Sequence, residues 1–503
     1  MTNERKIGSV TYQNVDNQYF EQRGLKRHAG VWSLWALGVA AVISGDFSGW
    51  NFGLDVGGFG GLLIATVIIT VMYFGLCYSI AEMSPALPHT GGAYSFARSA
   101  MGPWGGFITG LAENVEYVVT TAVVGTFAAA YARPVFAELL NFDLDELWWL
   151  VIFYLIFVGL NVLGIEATMR FSIVICFVSL AVLFIFFVMS IGSFDASRLT
   201  DITPAAGQTP FLPFGVGGIF AALPFAIWFY LAIEELPLAA EESMDPKRDV
   251  PNATIWGLVT LVITGVLVLF LNTGVTGAEA IRTSGEPLLD GFRVILGSET
   301  GAALLGLAAL SGLIASFHTI IYAYGRNIYS LSRAGYFPKW MSITHGTRKT
   351  PWLALVLGAA VGIVLALILR WAGGQDSAFA ATVSGALLNM AVFGAVISYG
   401  LQCLSYVLLK RNYPNIERPY KSPLGSGGAI VAGIISLMAL IATFLNPGYR
   451  PGVYGTAIWM IIGILYFGAR GRHRLVLSPE EEFALTRGEH GHPETEGYGS
   501  TRV

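Results

Sequence analysis

Long runs without a single charge constrain this chain more than any other feature. Residues 62–80, 151–162, 171–191, 254–271, 352–369 and 430–445 contain no Asp, Glu, Lys or Arg. Several reach the roughly 17–25 residues that a helix needs to cross a hydrocarbon core. Backbone in lipid must satisfy its own hydrogen bonds, so runs of this kind read as helices. Only 12% of the 503 residues are charged and the mean hydropathy is +0.62, whereas a soluble domain carries about 25% charge. The expected fold class is an all-α membrane protein.

Adding the more broken apolar segments gives about twelve spans, beginning near residues 31, 58, 104, 147, 171, 216, 253, 301, 352, 378, 427 and 452. With the amino terminus inside, 23 of the 29 Lys and Arg fall in inward-facing segments, the bias of a cytoplasmic face. Both termini are then cytoplasmic, which requires an even number of spans. The expected location is the inner cell membrane. Segment 1–30 and the acidic, apolar-poor tail 471–503 read as soluble ends. The first apolar run follows some thirty polar residues, unlike a targeting peptide. Cys77, Cys176 and Cys403 fall inside spans and read as packing thiols. No metal-ligand spacing or nucleophile motif stands out, so neither catalysis nor a cofactor is expected. A net charge of −4 gives no reason to expect a nucleic-acid partner.

The first and sixth spans differ from the rest. The first contains Ser44-Gly45-Asp46-Phe47-Ser48-Gly49-Trp50-Asn51; the sixth contains Pro224 and then Trp228-Phe229-Tyr230-Leu231-Ala232-Ile233-Glu234-Glu235-Leu236-Pro237. Glycine weakens helices, and a carboxylate at mid-membrane costs roughly 2.5–3.5 kcal/mol on insertion scales. Interrupted spans in matching positions of two halves point to a transporter site. An offset of five spans turns the second unit upside down, giving a 5+5 inverted repeat over 31–195 and 216–409, with two further helices over 427–468. Asp46, Glu113, Glu116, Glu234 and Glu235 lie in the spans with no Lys or Arg expected at their depth. Uncompensated carboxylates there invite a cation or a proton. Glu113 and Glu116, three residues apart, share one face of the third span. Such a pair holds an ammonium or shares a proton. Facing other helices through water is the plainer alternative.

Three landmarks carry a family resemblance. They are Ala81-Glu82-Met83-Ser84-Pro85 through Gly91-Gly92-Ala93-Tyr94, Glu241-Glu242 with Asp245-Pro246-Lys247-Arg248-Asp249, and Tyr322-Ala323-Tyr324-Gly325-Arg326-Asn327 leading to Arg333-Ala334-Gly335. In order and spacing they resemble the amino acid–polyamine–organocation permeases. The stretch Ser44–Asn51 and Glu113-Asn114-Val115-Glu116 are similar to the ethanolamine permease branch. The resemblance implies a twelve-helix inverted repeat with a substrate site between spans 1, 3, 6 and 8.

In resembling amino acid permeases the broken first helix holds the substrate carboxylate with free backbone N–H groups. Here Asp46 stands at that junction, where it would cap the half-helix and repel a substrate carboxylate. An amine lacking the acid, such as ethanolamine, is the logical ligand; a cap facing away from the cavity is the alternative. Glu234 matches the acid of a recurring sixth-span motif, with Ala232 replacing its usual Gly and narrowing the break. Phe47, Trp228, Phe229 and Tyr230 flank the breaks, suited to covering an ammonium by cation–π contact. His318 and Ser316 are weaker candidates on the eighth span. Some proton-coupled relatives carry a Lys in the fifth span, but that position falls near Ser179 here. Ser179 and Ser316 would suit sodium, and the carboxylates a proton. The resulting expectation is a carrier, monomeric or weakly dimeric, importing a small cationic amine across the lipid bilayer. An amino acid or polyamine permease is the near alternative, and a membrane receptor for a small amine the distant one.

Overall fold

The computed structural model describes residues 5–15, 17–373 and 379–491. Among them eleven helices are long and apolar enough to cross a membrane, and Val31–Phe47 is a shorter twelfth. Span 1 starts with Val31–Phe47. Spans 2 to 5 lie in Phe52–Ala86, Ala93–Leu140, Glu146–Leu163 and Ile165–Ser190. Spans 6 to 8 are Gly215–Glu242, Pro246–Thr276 and Glu299–Arg333. Spans 9 to 12 run in Trp352–Gly373, Phe379–Asn412, Gly425–Leu445 and Arg450–Ala469. The expected start near 378 lies just outside the described residues. The second interrupted span, the sixth, follows the first by five spans, and spans 11 and 12 complete the chain's apolar helices among the described residues.

Burial separates centre from rim. The most apolar window of span 3 is 94% buried and those of spans 6 and 8 are 72% buried, but the windows of spans 11 and 12 are only 33% and 22% buried. Spans 3, 6 and 8 therefore form the middle of the bundle. The last two helices turn side chains such as Ile434, Leu445, Ile462 and Leu465 outward, as lipid allows.

Both expected breaks are present. Span 1 is helical over Val31–Val42 and Ser44–Phe47, then loses helical geometry at Ser48 and at Gly49, whose φ is +96°. Helix resumes at Phe52 and turns sharply at Gly58 (φ +65°), where a Cβ would lie 2.3 Å from the Pro213 ring. Span 6 is α-helical over Gly215–Trp228 and resumes as a 3₁₀ helix, Ile233–Glu242. Pro224 sits within its helical half, so the break falls after it. Ala232, at φ +88°, makes the turn, a left-handed conformation that costs a non-glycine residue about 1–2 kcal/mol.

The two faces of the bundle are closed differently. On the face carrying the chain ends, strands β1 (Arg5–Ile7), β2 (Val10–Gln13) and β3 (Leu475–Val476) form a small sheet in the order β1-β2-β3. The tail helix Pro479–Thr486 follows. This corrects the reading of the tail as a solvated end. Glu480 and Glu481 are fully buried, because buried arginines await them and acidic composition opposes burial only where counter-charge is missing. On the far face, helices Ala278–Ile281 and Pro287–Leu296 join spans 7 and 8.

Candidate functional site

The two breaks meet at the centre of the bundle. Gly45 packs so closely on span 6 that a Cβ there would lie 2.4 Å from the Trp228 carbonyl oxygen. Trp228 Nε1 donates to the Ser48 carbonyl at 3.0 Å, which satisfies one backbone acceptor that the break frees. Trp50 stacks on Phe229 with ring centroids 5.8 Å apart, and Phe127 meets Trp228 edge-on at 6.2 Å. The Phe47 ring fills the space over Gly312 of span 8. Its carbonyl accepts from Tyr131 Oη at 2.6 Å. These rings form a layer on the far side of the breaks.

The linker between spans 7 and 8 lies over that layer. Ser48 Oγ donates to the Gly285 carbonyl at 2.9 Å. Asn51 Nδ2 donates to the carbonyls of Ile281 and Ser284 at 2.6 and 2.8 Å. Glu286, at the start of Pro287–Leu296, is driven by burial up to about 7, against the pull of Arg293 2.8 Å away.

On the other side of the breaks, side chains from spans 2, 3, 6, 8 and 10 build an acidic cluster. Glu116 Oε1 accepts from Tyr399 Oη at 2.8 Å, and Tyr399 also receives the Tyr73 hydroxyl at 3.1 Å. Glu234 Oε2 accepts from the Ala232 backbone N–H at 3.1 Å, so this carboxylate caps the break from within. The other oxygens, Glu116 Oε2 and Glu234 Oε1, receive no other donor, and the two side chains lie against each other. Both Glu235 oxygens also lack a partner. Glu113 accepts from Tyr117 Oη at 3.2 Å and from Asn327 Nδ2 at 3.4 Å. Tyr230 turns its hydroxyl to Thr70 at 2.8 Å and lays its ring against Tyr73.

Asp46 differs from the sequence reading. It sits inside the turn Ser44–Phe47, with its own N–H donating to the Ile43 carbonyl at 3.0 Å. It is not an N-cap, because the helix it would cap begins at Phe52, with Asn51 in the capping position. Its carboxylate points at span 7, where a Cβ on Gly265 would lie 3.5 Å from Oδ1. Thr264 of span 7 is the polar side chain beside it, and neither buried oxygen receives a well-aligned hydrogen bond.

The remaining candidates separate. Ser316 ties span 8 to the last turns of span 1 before its break, receiving Ser44 Oγ at 2.8 Å and donating to the Ala41 carbonyl. Ser179 lies elsewhere, 3.4 Å from Ser311 and bonded to the Ile175 carbonyl, so the two serines do not meet. His318 faces spans 4 and 5, with Nδ1 3.0 Å from Asn161 and its ring 4.8 Å from Phe171. That position is away from the breaks, since spans 4 and 5 supply the polar partner that a buried imidazole needs.

Sequence reading missed the tyrosines (Tyr73, Tyr117, Tyr131 and Tyr399) and Asn327. Hydroxyls and an amide at mid-span were the available signal, hidden because tyrosine counts as apolar. It also placed Arg326 outside the spans. Arg326 is fully buried in span 8, paired with Glu242 at 2.8 and 3.0 Å, and stacked on Tyr322 at 3.7 Å. Its charge is spent on Glu242, so it leaves the acidic cluster uncompensated.

Comparison with known proteins agrees with this architecture. An uncharacterised transporter of Rhizobium meliloti (strain 1021) is 28% identical over 458 residues, covering 90% of this chain and 93% of its own. The branched-chain amino acid permease of Bacillus subtilis (strain 168) is 24% identical, covering 90% and 95%. The methylthioribose transporter of the same organism is 22% identical, covering 91% and 96%. The sequence profile of the amino acid permease family matches residues 34–473. With two broken helices meeting beside a buried acidic cluster, and that match running through both of them, the chain belongs to the amino acid permease family and is a multi-pass membrane transporter.

Proposed function

We propose that this transporter imports a small organic amine by alternating access, with ethanolamine as the best-fitting substrate. One observation carries the reading. Asp46, Glu116, Glu234 and Glu235 present six buried carboxylate oxygens without a donor, and none is ion-paired among the described residues. An ammonium group supplies both the missing charge and three donors. Room at the breaks is scarce, with Gly45 against Trp228 and Ala232 where a glycine would leave more space. A small ligand fits that restriction.

An amino acid is the second reading, favoured by the relative named for branched-chain amino acids. A substrate carboxylate would add negative charge to an already acidic centre. The relative named for methylthioribose supports a family whose members differ in substrate. For orientation, the excess of Lys and Arg supports a cytoplasmic terminal face in the inner membrane. For coupling, the facing oxygens of Glu116 and Glu234 suit a shared proton. The Ser44–Ser316 pair beside the Ala41 carbonyl is the sodium alternative.

Purified protein in liposomes is expected to take up labelled ethanolamine and to be inhibited by choline more than by alanine or putrescine. Imposed proton and sodium gradients identify the driving ion. Competition by alanine without ethanolamine uptake would overturn the amine reading. Asp46→Asn is expected to abolish uptake while leaving the protein folded, and unchanged affinity in that variant would remove Asp46 from the site.

A further inference from the structure

The tail helix Pro479–Thr486 takes no part in the solute site, yet it is bound as tightly as any element of the bundle. Glu481 is fully buried and accepts four hydrogen bonds: Arg98 Nε at 2.7 Å, Tyr12 Oη at 2.6 Å, Tyr336 Oη at 2.8 Å and Tyr94 Oη at 2.9 Å. Glu480, also fully buried, is ion-paired with Arg333 and accepts from Ser330 Oγ at 3.3 Å. Beyond the helix, the Gly491 carbonyl meets His89 Nε2 at 2.7 Å. Burial alone would raise the Glu480 carboxyl, but the Arg333 guanidinium holds it below its usual range.

These anchors lie on the route from the acidic cluster to the terminal face. Arg98 stands in the helix that leads into span 3, and Arg333 ends span 8. Arg333 also grips Glu241, from the end of span 6, at 2.7 and 2.9 Å. Spans 3, 6 and 8 are the three that supply Glu113, Glu116, Glu234 and Asn327. A path between them from that cluster to the terminal face therefore runs into the tail helix. The helix presents two carboxylates to two buried arginines, and the sheet of β1, β2 and β3 holds its root in place.

We propose that the tail helix is a plug on the inner mouth of the carrier, seated by Glu480 in Arg333 and Glu481 in Arg98, whose release opens the pathway inward. The proposal rests on alternating access but not on which solute is carried, so its test uses no substrate. In the full chain, Cys77, Cys176 and Cys403 are replaced by Ala and Asn114→Cys supplies one thiol. Asn114 lies in span 3 against Asn327 of span 8, two helical turns beyond Gly106, where the chain folds back at Gly102 and packs Arg98 on that glycine. A membrane-impermeant maleimide is applied from the terminal side of vesicles. Glu480→Gln with Glu481→Gln is expected to speed labelling about tenfold, the response to a gate bias of one charge pair. A chain truncated after Val476 is the second variant, expected to behave alike if the glutamine pair stays seated or folds poorly. Faster amide hydrogen exchange across Pro479–Thr486, where Phe483 and Ala484 are buried in the seated helix, reports release of the tail. A released or truncated tail with an unchanged labelling rate would overturn the plug, whatever substrate the carrier proves to move.

Discussion

Glu116→Gln separates a ligand from a structural carboxylate, because the two roles predict opposite signs. The glutamine keeps an oxygen to accept from Tyr399 Oη, which lies 2.8 Å from Glu116 Oε1. Its new amide nitrogen, Nε2, replaces Oε2, the atom that has no donor, on the side chain that lies against Glu234. One acceptor–acceptor contact becomes a charge-assisted hydrogen bond, worth about 1.5–3 kcal/mol at most and less after rotamer cost. The folded protein is therefore expected to gain about 1 kcal/mol. Binding moves the other way. A unit charge roughly 4 Å from an ammonium contributes about 4 kcal/mol at an effective dielectric constant near 20. Half of that is recovered if Glu234 takes the ammonium alone, leaving a loss of about 2–4 kcal/mol, or roughly 30- to 1,000-fold in affinity. Thermal unfolding in detergent and concentration-dependent uptake in liposomes measure the two effects. Unchanged affinity would remove Glu116 from the ligand shell, and a large fall in Tm would show that the carboxylate is structural.

Glu286 makes the far-face linker pH-sensitive: its carboxyl titrates near 7 when buried beside Arg293, Asp290 and Glu146, against the ordinary 4.5. A raised value means that the closed linker binds the proton more tightly. Closure is thus favoured below pH about 4.5 and loses at most about 3 kcal/mol as pH rises through 7; Glu286→Gln is expected to flatten that dependence in thiol-accessibility measurements from the far side. Glu242→Gln strands the Arg326 guanidinium and is expected to cost about 3–5 kcal/mol, most of it regained when Arg326→Met and Glu242→Met are combined. Thermal unfolding of the three variants decides this. Gly45→Ala puts a methyl carbon 2.4 Å from a backbone oxygen; because backbone cannot rotate aside, a loss of about 1–3 kcal/mol in the closed form is expected, read as a lower Tm and faster labelling at Asn114→Cys.

The positions of the spans were legible because lipid imposes one rule on every run: apolar side chains and self-satisfied backbone. The breaks were legible for the complementary reason, since Gly, Ser and Asp at mid-depth between apolar residues have no use in a continuous rod. Pairing was not legible. Glu116 is coupled to a glutamate more than a hundred residues away, and Arg326 to Glu242 at a separation of 84. Nothing local in the chain distinguishes Glu242, which has a counter-ion, from Glu235, which has none. The direction of Asp46 was hidden by little more than one helical turn: at the position of Asn51 it would have been a cap, but five residues earlier it points at Gly265 of span 7. The tail misled for a related reason, since composition reports how many charges a segment carries and not whether partners await them.

The two closures of the bundle follow different chemistry, and the difference fits a device that must open both ways. The far face is shut mainly by neutral hydrogen bonds from Ser48 and Asn51 to linker carbonyls and by aromatic contact, with a solvent-exposed ion pair, Arg282–Asp55 at 3.3 Å, at its rim. Opening it trades those bonds for water at a net cost of about 1 kcal/mol each. The terminal face is shut by fully buried ion pairs, Arg326–Glu242, Arg333–Glu241, Arg333–Glu480 and Arg98–Glu481. A buried pair adds little net stability, because hydration regained on opening repays most of the lost attraction, but it strongly penalises any arrangement in which one partner stays buried alone. Such a gate tolerates the fully closed and fully hydrated states and disfavours those between. That is the bistability the proposed alternating access requires, and it accounts for arginines gathered at the terminal face while the acidic cluster is left without any among the described residues.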